Sequence, residues 1–209
     1  MSLQATIAKL MLKLPAGMKI KMAGGKPVEI GGRTLDPNFQ FIAYGAATQP
    51  AMSSMTPQQA REASAAGLAM FADKPETGVT WDNFEIDGRD GHKIPVRLYK
   101  PNGQDASAPM MTYFHFGGGV IGDLETCHVF CTMLASRVKC PVLSVEYRLA
   151  PEHKYPAALH DCEDAYLWAL KNADQHGAPS GRATVGGDSM GGHLSAVLSQ
   201  QMRDKGERS

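Results

Sequence analysis

The sequence lacks an excess of charge of either sign and has no long apolar run, two features that would point directly to a functional class. Its 21 basic and 21 acidic residues give a formal net charge of zero, so composition provides no electrostatic argument for binding nucleic acid or an anionic membrane. No apolar run approaches the roughly 20 residues needed to span a bilayer. We therefore expect no nucleic-acid partner and no stable membrane insertion.

Cysteine is scarce as well. The chain has four, which form no CxxC pair and no disulfide-rich pattern: Cys127, Cys131, Cys140 and Cys162. Cys127 and Cys131 lie one turn apart on a predicted helix, but a metal site would need further ligands nearby. Buried free thiols are the expected state, and no metal is implied.

The N-terminal segment lacks the uncharged apolar core of a secretory signal peptide. Its apolar residues recur at helical spacing: Leu3, Ile7, Leu10, Met11 and Leu14. Lys9 and Lys13 interrupt this pattern. A cytoplasmic location is the resulting expectation.

Two helices are predicted in the first third of the chain. The first covers residues 3–14 and ends at Pro15, and a loop rich in glycine and proline follows over residues 23–37. Thr56-Pro57-Gln58-Gln59 has the pattern of a capping box with proline in the first turn. This box predicts a second helix that ends near Ala72.

The rest of the chain alternates between strand and helix patterns. A hairpin is predicted from strands 80–87 and 94–100, followed by strand 110–115, helix 124–138, strand 141–147, helix 156–175, strand 182–187 and helix 190–204. Alternating strands and helices predict an α/β fold, with a parallel sheet covered by helices on both faces.

A serine flanked by glycines follows the last predicted strand. Gly187-Asp188-Ser189-Met190-Gly191 has the Gly-x-Ser-x-Gly pattern of a nucleophile elbow, a tight turn from a strand into a helix. Gly187 and Gly191 let strand and helix pass closely because they have no Cβ. Ser189 is then expected to be exposed beside a helix N-terminus, whose free N–H groups suit a developing oxyanion.

A second glycine-rich segment follows the strand predicted over residues 110–115. That strand ends at His115 and continues into Phe116-Gly117-Gly118-Gly119. Backbone N–H groups in such a loop can approach a substrate carbonyl without interference from side chains. The loop is therefore a candidate for the second half of an oxyanion hole.

Three segments together resemble one family. YFHFGGGVIGD (113–123), SVEYRLAPEHKYPAALHD (144–161) and GGDSMGG (186–192) resemble, in order and spacing, the hormone-sensitive-lipase-like serine esterases (bacterial family IV type) of the α/β-hydrolase fold. The resemblance implies a helical cap region over residues 1–75 and the N-terminal two-thirds of a catalytic domain over residues 76–209. It also implies hydrolysis of small or short-acyl carboxylic esters through a serine acyl-enzyme, without a metal or cofactor.

The resemblance also implies roles for individual residues. Ser189 is the expected nucleophile. The oxyanion hole is expected to consist of the backbone N–H groups of Gly117, Gly118 and Met190. The loops around it are expected to be supported by His115, Gly119 and Asp188. Asp188 is not expected to be the triad acid, because adjacent residues on a strand point in opposite directions.

The glycine loop departs from the family pattern. The family has three glycines and then an aromatic residue after the histidine, whereas here Phe116 comes first and Gly119 last. The donors are backbone groups, so the exchange need not abolish the oxyanion hole. Phe116 is expected to turn toward the acyl pocket or the core.

The second departure concerns the catalytic triad. In this fold the triad residues follow the order serine, acid, histidine along the chain. Only 20 residues follow Ser189, and they predict one helix with a polar tail over residues 203–209. The acid, the histidine and the C-terminal strands are therefore expected beyond this chain, in a C-terminal segment carried as a separate chain. The chain alone is expected to be inactive, and a homodimer is left open.

No histidine of the chain reproduces the triad. His193 lies one helical turn beyond Ser189, on a helix expected to pack under the sheet, so a structural role is expected. His115 is expected to pin the glycine loop through hydrogen bonds to backbone, and His92 lies in a predicted turn. Four more histidines lie on or beside predicted helices with no acid partner implied by spacing: His128, His153, His160 and His176. The alternative function is a catalytically silent fold that binds a small ligand. A downstream acid and histidine would decide for the enzyme.

Overall fold

A computed structural model describes residues 3–206 of the chain. The chain forms two compact units, Met1–Ala72 and Asp73–Ser209. No helix within residues 3–206 combines the length and the apolar character needed to cross a membrane. Residues 207–209 of the predicted polar tail lie outside the described residues.

The first unit consists, within residues 3–72, of helices and a short hairpin. Its α-helices are α1 (Leu3–Leu12), α2 (Ala16–Met22), α3 (Pro37–Ala47) and α4 (Pro57–Phe71), and its hairpin pairs β1 (Glu29–Ile30) with β2 (Arg33–Thr34). Helix α1 packs against α4, and α2 packs against α3. The two helices predicted from the sequence correspond to α1 and α4.

Helices α2 and α3 correct the sequence-based expectation. Pro15 stands directly before α2 as its N-cap residue, and proline is tolerated at a helix start because the first N–H groups have no intrahelical acceptor. Asp36 caps α3, and its carboxylate accepts hydrogen bonds from the N–H groups of Asn38 at 2.8 Å and Phe39 at 3.4 Å. The loop predicted over residues 23–37 therefore contains a hairpin and leads directly into a helix.

The predicted capping box is present at the start of α4. Thr56 Oγ1 accepts a hydrogen bond from the Gln59 N–H at 3.3 Å, and the Gln59 side-chain oxygen accepts one from the Thr56 N–H at 2.9 Å. Each side chain satisfies a backbone donor that the helix itself leaves unpaired. The start of α4 is thus determined by its local sequence.

The second unit contains a mixed sheet. Its strands are β3 (Val79–Asp87), β4 (Lys93–Pro101), β5 (Met110–Phe114), β6 (Val142–Val145) and β7 (Ala183–Gly187), and its α-helices within residues 73–206 are α5 (His128–Val138), α6 (Ala157–Asn172) and α7 (Met190–Asp204). The strand order is β3-β4-β6-β5-β7. Strand β5 pairs in parallel with β6 and β7, whereas β4 pairs antiparallel with β3 and β6. The predicted parallel sheet is therefore only the β6-β5-β7 part.

Helix α5 begins four residues later than predicted, at His128 rather than at residue 124. Asp123 and Thr126 form a turn in its place, since Asp123 Oδ1 accepts hydrogen bonds from both the N–H and the hydroxyl of Thr126 at 2.8 Å. Such local bonds between side chain and backbone compete with helix formation. The segment after the glycine loop is therefore a turn.

Helices cover both faces of the sheet. Phe114 and Leu143 are buried with residues of α6 and α7 on one face, whereas Tyr113 and Val142 are buried with residues of α5 on the other. Adjacent strand residues point to opposite faces, so β5 and β6 each contribute to both cores. All four cysteines are buried and free, as expected.

Strand β7 lies at one edge of this sheet. Its only strand partner among the described residues is β5. The backbone groups along its other side therefore have no strand to pair with in that part of the chain. Strand β7 ends at Gly187, two residues before Ser189.

Candidate active site

The turn between β7 and α7 holds Ser189 in an unusual backbone conformation. Ser189 has φ 52° and ψ −115°, and residues other than glycine rarely adopt positive φ without strain. Its side chain forms no capping hydrogen bond to α7, and the residue is exposed. This is the geometry of a nucleophile elbow, which presents a serine hydroxyl at the end of a strand.

Two glycines allow this turn to lie against the end of β5. A Cβ on Gly187 would come within 2.4 Å of the Phe114 carbonyl oxygen, and a Cβ on Gly191 within 1.8 Å of the same atom. Both distances are far shorter than van der Waals contact. The close approach predicted for these glycines is therefore present, and it holds Ser189 beside the loop that follows Phe114.

Gly191→Ala is expected to destabilise the second unit by about 3 kcal/mol or more, because the new methyl group would overlap a backbone oxygen and force the elbow away from β5. Gly67→Ala in α4 is the matched control, since nothing lies within 4 Å of its Cβ position. That change is expected to raise the free energy of unfolding by about 0.5–1 kcal/mol through helix propensity. Chemical denaturation of both variants measures the two effects, and equal effects would contradict the packing described for the elbow.

The loop after β5 presents backbone N–H groups. Gly117, Gly118 and Gly119 have φ values of 128°, 61° and 73°, which side chains disfavour. Within residues 3–206, no residue accepts a backbone hydrogen bond from the N–H groups of these glycines. Met190 begins α7, so its N–H has no acceptor within the helix. Several donors are thus available to an acceptor from outside the chain.

His115 and Tyr147 anchor the start of the glycine loop. The buried His115 ring places Nδ1 2.7 Å from the Phe116 carbonyl oxygen and stacks on Tyr147 with ring centres 4.3 Å apart. A carbonyl oxygen can only accept, so Nδ1 carries the proton. Burial lowers the pKa of His115, which keeps the ring neutral. The Tyr147 hydroxyl donates to the His115 carbonyl oxygen at 2.7 Å, a contact that the sequence did not predict.

Phe116 takes one of the two directions expected for it. Its side chain packs against the core cluster that contains Tyr113 and Val142. A phenylalanine at Gly119 would be strained, because the backbone there has φ 73°. The observed order of residues therefore leaves glycine at the loop positions that need positive φ and packs the partly buried aromatic ring against the core.

Tyr113 connects the elbow to β5. Its hydroxyl donates a hydrogen bond to Asp188 Oδ1 at 2.7 Å, and the residue is only 3% exposed. Burial and this hydrogen bond raise the pKa of Tyr113 far above its usual value, so the hydroxyl keeps its proton and donates. Asp188, the residue before Ser189, is thus held by a side chain 75 positions away.

Tyr113→Phe is expected to lower the free energy of unfolding by about 1 kcal/mol, because it removes the donor to a carboxylate. A double-mutant cycle with Asp188→Ala should show a coupling energy of roughly 0.5–1.5 kcal/mol. Tyr155→Phe makes the same chemical change at a residue that is 86% exposed and is expected to be neutral. Strict additivity of Tyr113→Phe and Asp188→Ala would contradict the role given to this bond.

A buried ion pair fixes the segment after β6. Asp161 is fully buried, and its oxygens accept hydrogen bonds from the Arg148 N–H and guanidinium, with distances of 2.8 Å to each group. The same segment donates from the Ala150 N–H to the Gly119 carbonyl oxygen at 2.7 Å. The ion pair therefore stabilises one end of the glycine loop. The sequence analysis did not predict this ion pair, although both residues lie within the segment that resembles the family pattern (144–161).

The histidine side chains contact groups other than the Ser189 hydroxyl. Among residues 3–206, none hydrogen-bonds to the Ser189 side chain. His128 Nδ1 lies 3.0 Å from the Tyr99 hydroxyl, and His92 Nε2 lies 2.9 Å from Asp161. Helix α7 packs against β5 and β7, as expected, and His193 lies on its exposed side. The described residues thus place an exposed serine beside free backbone N–H groups, with no histidine in contact with its side chain.

Comparison with known proteins places this geometry in a family. The family described as the α/β-hydrolase fold matches residues 111–209. The carboxylic ester hydrolase LipN of Mycobacterium tuberculosis is 37% identical over 196 residues, which cover 92% of this chain and 51% of LipN. The ethyl acetate hydrolase of Pseudomonas putida is 35% identical over 153 residues, covering 72% of this chain and 48% of that enzyme.

Solved structures give the same result. An ester hydrolase from the metagenome of Lake Arreo, EH1AB1, superposes with a TM-score of 0.73 at 34% identity over 80% of this chain and 53% of that one. An esterase from Pyrobaculum calidifontis gives 0.66 at 39% identity over 74% of this chain and 50% of its own. The chain spans about half the length of the relatives it matches. With these matches, the elbow and the glycine loop identify the chain as a member of the hormone-sensitive-lipase-like family of the α/β-hydrolase fold.

Proposed function

We propose that this chain carries the nucleophile and the oxyanion hole of a carboxylic-ester hydrolase that acts on small or short-acyl esters. The observation that carries the proposal is the exposed, strained Ser189, held beside a loop whose glycine N–H groups are free of acceptors within residues 3–206. The similar proteins named above, a carboxylic ester hydrolase and an ethyl acetate hydrolase, support the same reaction class.

In the proposed reaction, Ser189 Oγ attacks the ester carbonyl carbon and its proton passes to a base. The carbonyl electron pair moves to oxygen, and the N–H groups of Gly117, Gly118 and Met190 donate to the resulting oxyanion. The intermediate then releases the alcohol, which takes the proton from the base, and leaves an acyl-enzyme. A water molecule then gives a proton to the same base and attacks the acyl carbon. The bond from that carbon to Ser189 Oγ breaks, the carboxylic acid leaves, and Oγ takes the proton back from the base.

We further propose that the base and its orienting acid come from a segment that pairs along the free edge of β7. Within residues 3–206 this edge has no strand partner, and it adjoins the elbow. A strand added there would continue the sheet and bring its C-terminal end to the same side as Ser189 if it runs parallel to β7. Asp188 is not the acid in this proposal, because its Oδ1 already accepts from Tyr113.

The test uses a completed chain, in which this chain is joined after α7 to the second half of LipN, the part that lies beyond the matched region. The completed chain is expected to hydrolyse p-nitrophenyl acetate and butyrate and to form a covalent adduct with a fluorophosphonate. Peptide mapping by mass spectrometry should locate the adduct on Ser189. A folded completed chain that binds esters reversibly but forms no adduct and no product would favour the ligand-binding alternative.

A further inference from the structure

His128, the first residue of α5, contacts side chains of the β3-β4 hairpin. Its Nδ1 atom lies 3.1 Å from Nη1 of Arg97 and 3.0 Å from the hydroxyl oxygen of Tyr99, both on β4. Trp81 of β3 meets the imidazole ring in a T-shaped contact, with ring centres 4.6 Å apart. These contacts hold the start of α5 against the hairpin.

The two polar neighbours of Nδ1 determine where the imidazole carries its proton. A guanidinium N–H of Arg97 can only donate a hydrogen bond, so Nδ1 must accept it. Burial raises the pKa of the Tyr99 hydroxyl well above its usual value, so this group also keeps its proton and donates. Nδ1 therefore offers a lone pair, and the proton of the neutral ring is on Nε2. The contact between α5 and β4 thus requires an uncharged His128.

Arg97 is held in place by groups other than His128. The residue is only 6% exposed. Its Nε donates to Asn83 Oδ1 and its Nη2 to Glu125 Oε1, both at 2.6 Å. One partner lies on β3 and the other in the turn before α5. The guanidinium therefore stays beside Nδ1 when His128 changes its charge.

Protonation of His128 reverses its contact with β4. The imidazolium carries an N–H at Nδ1, which would face the N–H groups and the charge of Arg97. The new charge would also lie in the first turn of α5, where the helix dipole disfavours a cation. Glu125 attracts the imidazolium, but its carboxylate is already paired with Arg97. The charged ring is therefore less stable in this position than the neutral one.

The pH at which the contact is lost follows from the pKa of His128. Burial and the charge of Arg97 lower this pKa from its usual value of 6.5. The unfolded chain therefore binds the proton before the folded chain does as the pH falls. The contact contributes its full stability above about pH 6.5. That contribution decreases as the pH falls toward the lower pKa of the folded chain.

We propose that His128 is a pH-sensitive switch for the segment that connects the glycine loop to α5. The neutral imidazole holds the first turn of α5 against β4, whereas the imidazolium releases it. The turn formed by Asp123 and Thr126 lies directly between Gly122 and this helix. Acid therefore loosens the chain that leaves the glycine loop.

Tryptophan fluorescence of the 209-residue chain tests the switch. Trp168→Phe leaves Trp81 as the single tryptophan of the two, and its emission should change in one transition between about pH 5 and 6.5. In this background His128→Asn should abolish the transition, because the amide oxygen can accept near the position of Nδ1 but does not titrate. A transition that persists in His128→Asn, or none above about pH 5 with His128 present, would overturn the proposal.

Glu146→Gln is the matched control for this titration. Burial raises the pKa of the Glu146 carboxyl, which interacts with the charges of Arg97 and Glu125, so this group could also titrate in mildly acidic solution. The variant should retain the transition with its midpoint nearly unchanged. Loss of the transition in Glu146→Gln would assign it to the carboxyl and overturn the role given to His128.

Hydrogen exchange tests whether the helix is released. The amides of residues 131–134 in α5 should exchange about tenfold faster at pH 5.5 than at pH 7.5 after correction for intrinsic rates, the ratio expected for one unit of pKa shift. Amides of residues 162–165 in α6 should not. Tyr99→Phe removes one donor to the neutral ring and should move the fluorescence midpoint to higher pH, even if His128→Asn fails to fold. Unchanged exchange in α5, or a midpoint that Tyr99→Phe does not raise, would contradict the switch.

Discussion

Replacing Ser189 by alanine in the completed chain is expected to lower kcat for p-nitrophenyl butyrate by roughly 10⁶-fold, the loss seen when a triad serine is removed elsewhere. The variant keeps the oxyanion donors and the substrate site, so a residual rate of about 10³–10⁴-fold over water can persist. KM should change little, because Ser189 contributes to the transition state more than to substrate binding. Steady-state kinetics and adduct mass measure the two effects separately.

Ser199→Ala is the matched control for this prediction. It makes the same chemical change on the same helix, at a residue distant from the elbow in sequence and only partly buried. Its expected effect on kcat is less than about twofold, since substitutions away from a site seldom alter more than stability. A Ser189→Ala protein with undiminished turnover and no contaminating esterase would refute the assignment of the nucleophile.

The sequence predicted the elbow because its geometry depends on a few adjacent residues. Gly187 and Gly191 must lack a Cβ where they meet the Phe114 carbonyl, and this requirement leaves a Gly-x-Ser-x-Gly pattern that can be recognised without a structure. The same holds for the capping box at Thr56, whose two hydrogen bonds connect residues only three positions apart. Local physical requirements are readable from local sequence.

Short helices of the first unit were harder to predict, because their stability comes from distant contacts. Gln40 of α3 is buried and donates from its side-chain amide to the carbonyl oxygens of Ala23 and Lys26, both at 2.8 Å. Lys19 of α2 donates to Asn38 at 2.5 Å. Helices of 7 and 11 residues are marginal on propensity alone. Their apolar periodicity was too short to outweigh the glycines and prolines around them.

The supporting contacts of the site were missed for a related reason. Hydrophobic periodicity indicates which face a residue occupies, but it does not identify the partner of a polar side chain. The sequence places Tyr113 within the apolar run of a predicted buried strand and does not indicate that its hydroxyl donates a hydrogen bond to Asp188. Arg148 and Asp161 both lie in the segment that matched the family, and only the fold shows that they pair.

The second large effect on the rate of ester hydrolysis is expected from adding the C-terminal segment that we propose supplies the base. The 209-residue chain alone should hydrolyse p-nitrophenyl acetate roughly 10³–10⁴-fold faster than water at most, because free backbone donors without a base give only oxyanion stabilisation. Joining it to the second half of LipN should raise the rate by several orders of magnitude, since the base then activates Ser189. The comparison uses equal concentrations of both proteins, with Ser189→Ala in the completed chain as the background.

The free edge of β7 also predicts self-association, which can be measured on the same proteins. An unpaired strand edge beside apolar side chains promotes pairing with another chain, so light scattering of the 209-residue chain should show self-association that the completed chain lacks. Thr184→Lys places a charge on an exposed position of β7 and should reduce this association, whereas Thr34→Lys in the first unit should not.

If the unaltered chain is instead a monomer with ordinary esterase turnover, the base lies within it. His193→Ala would then be the first variant to abolish activity, because His193 is the exposed histidine one helical turn from Ser189.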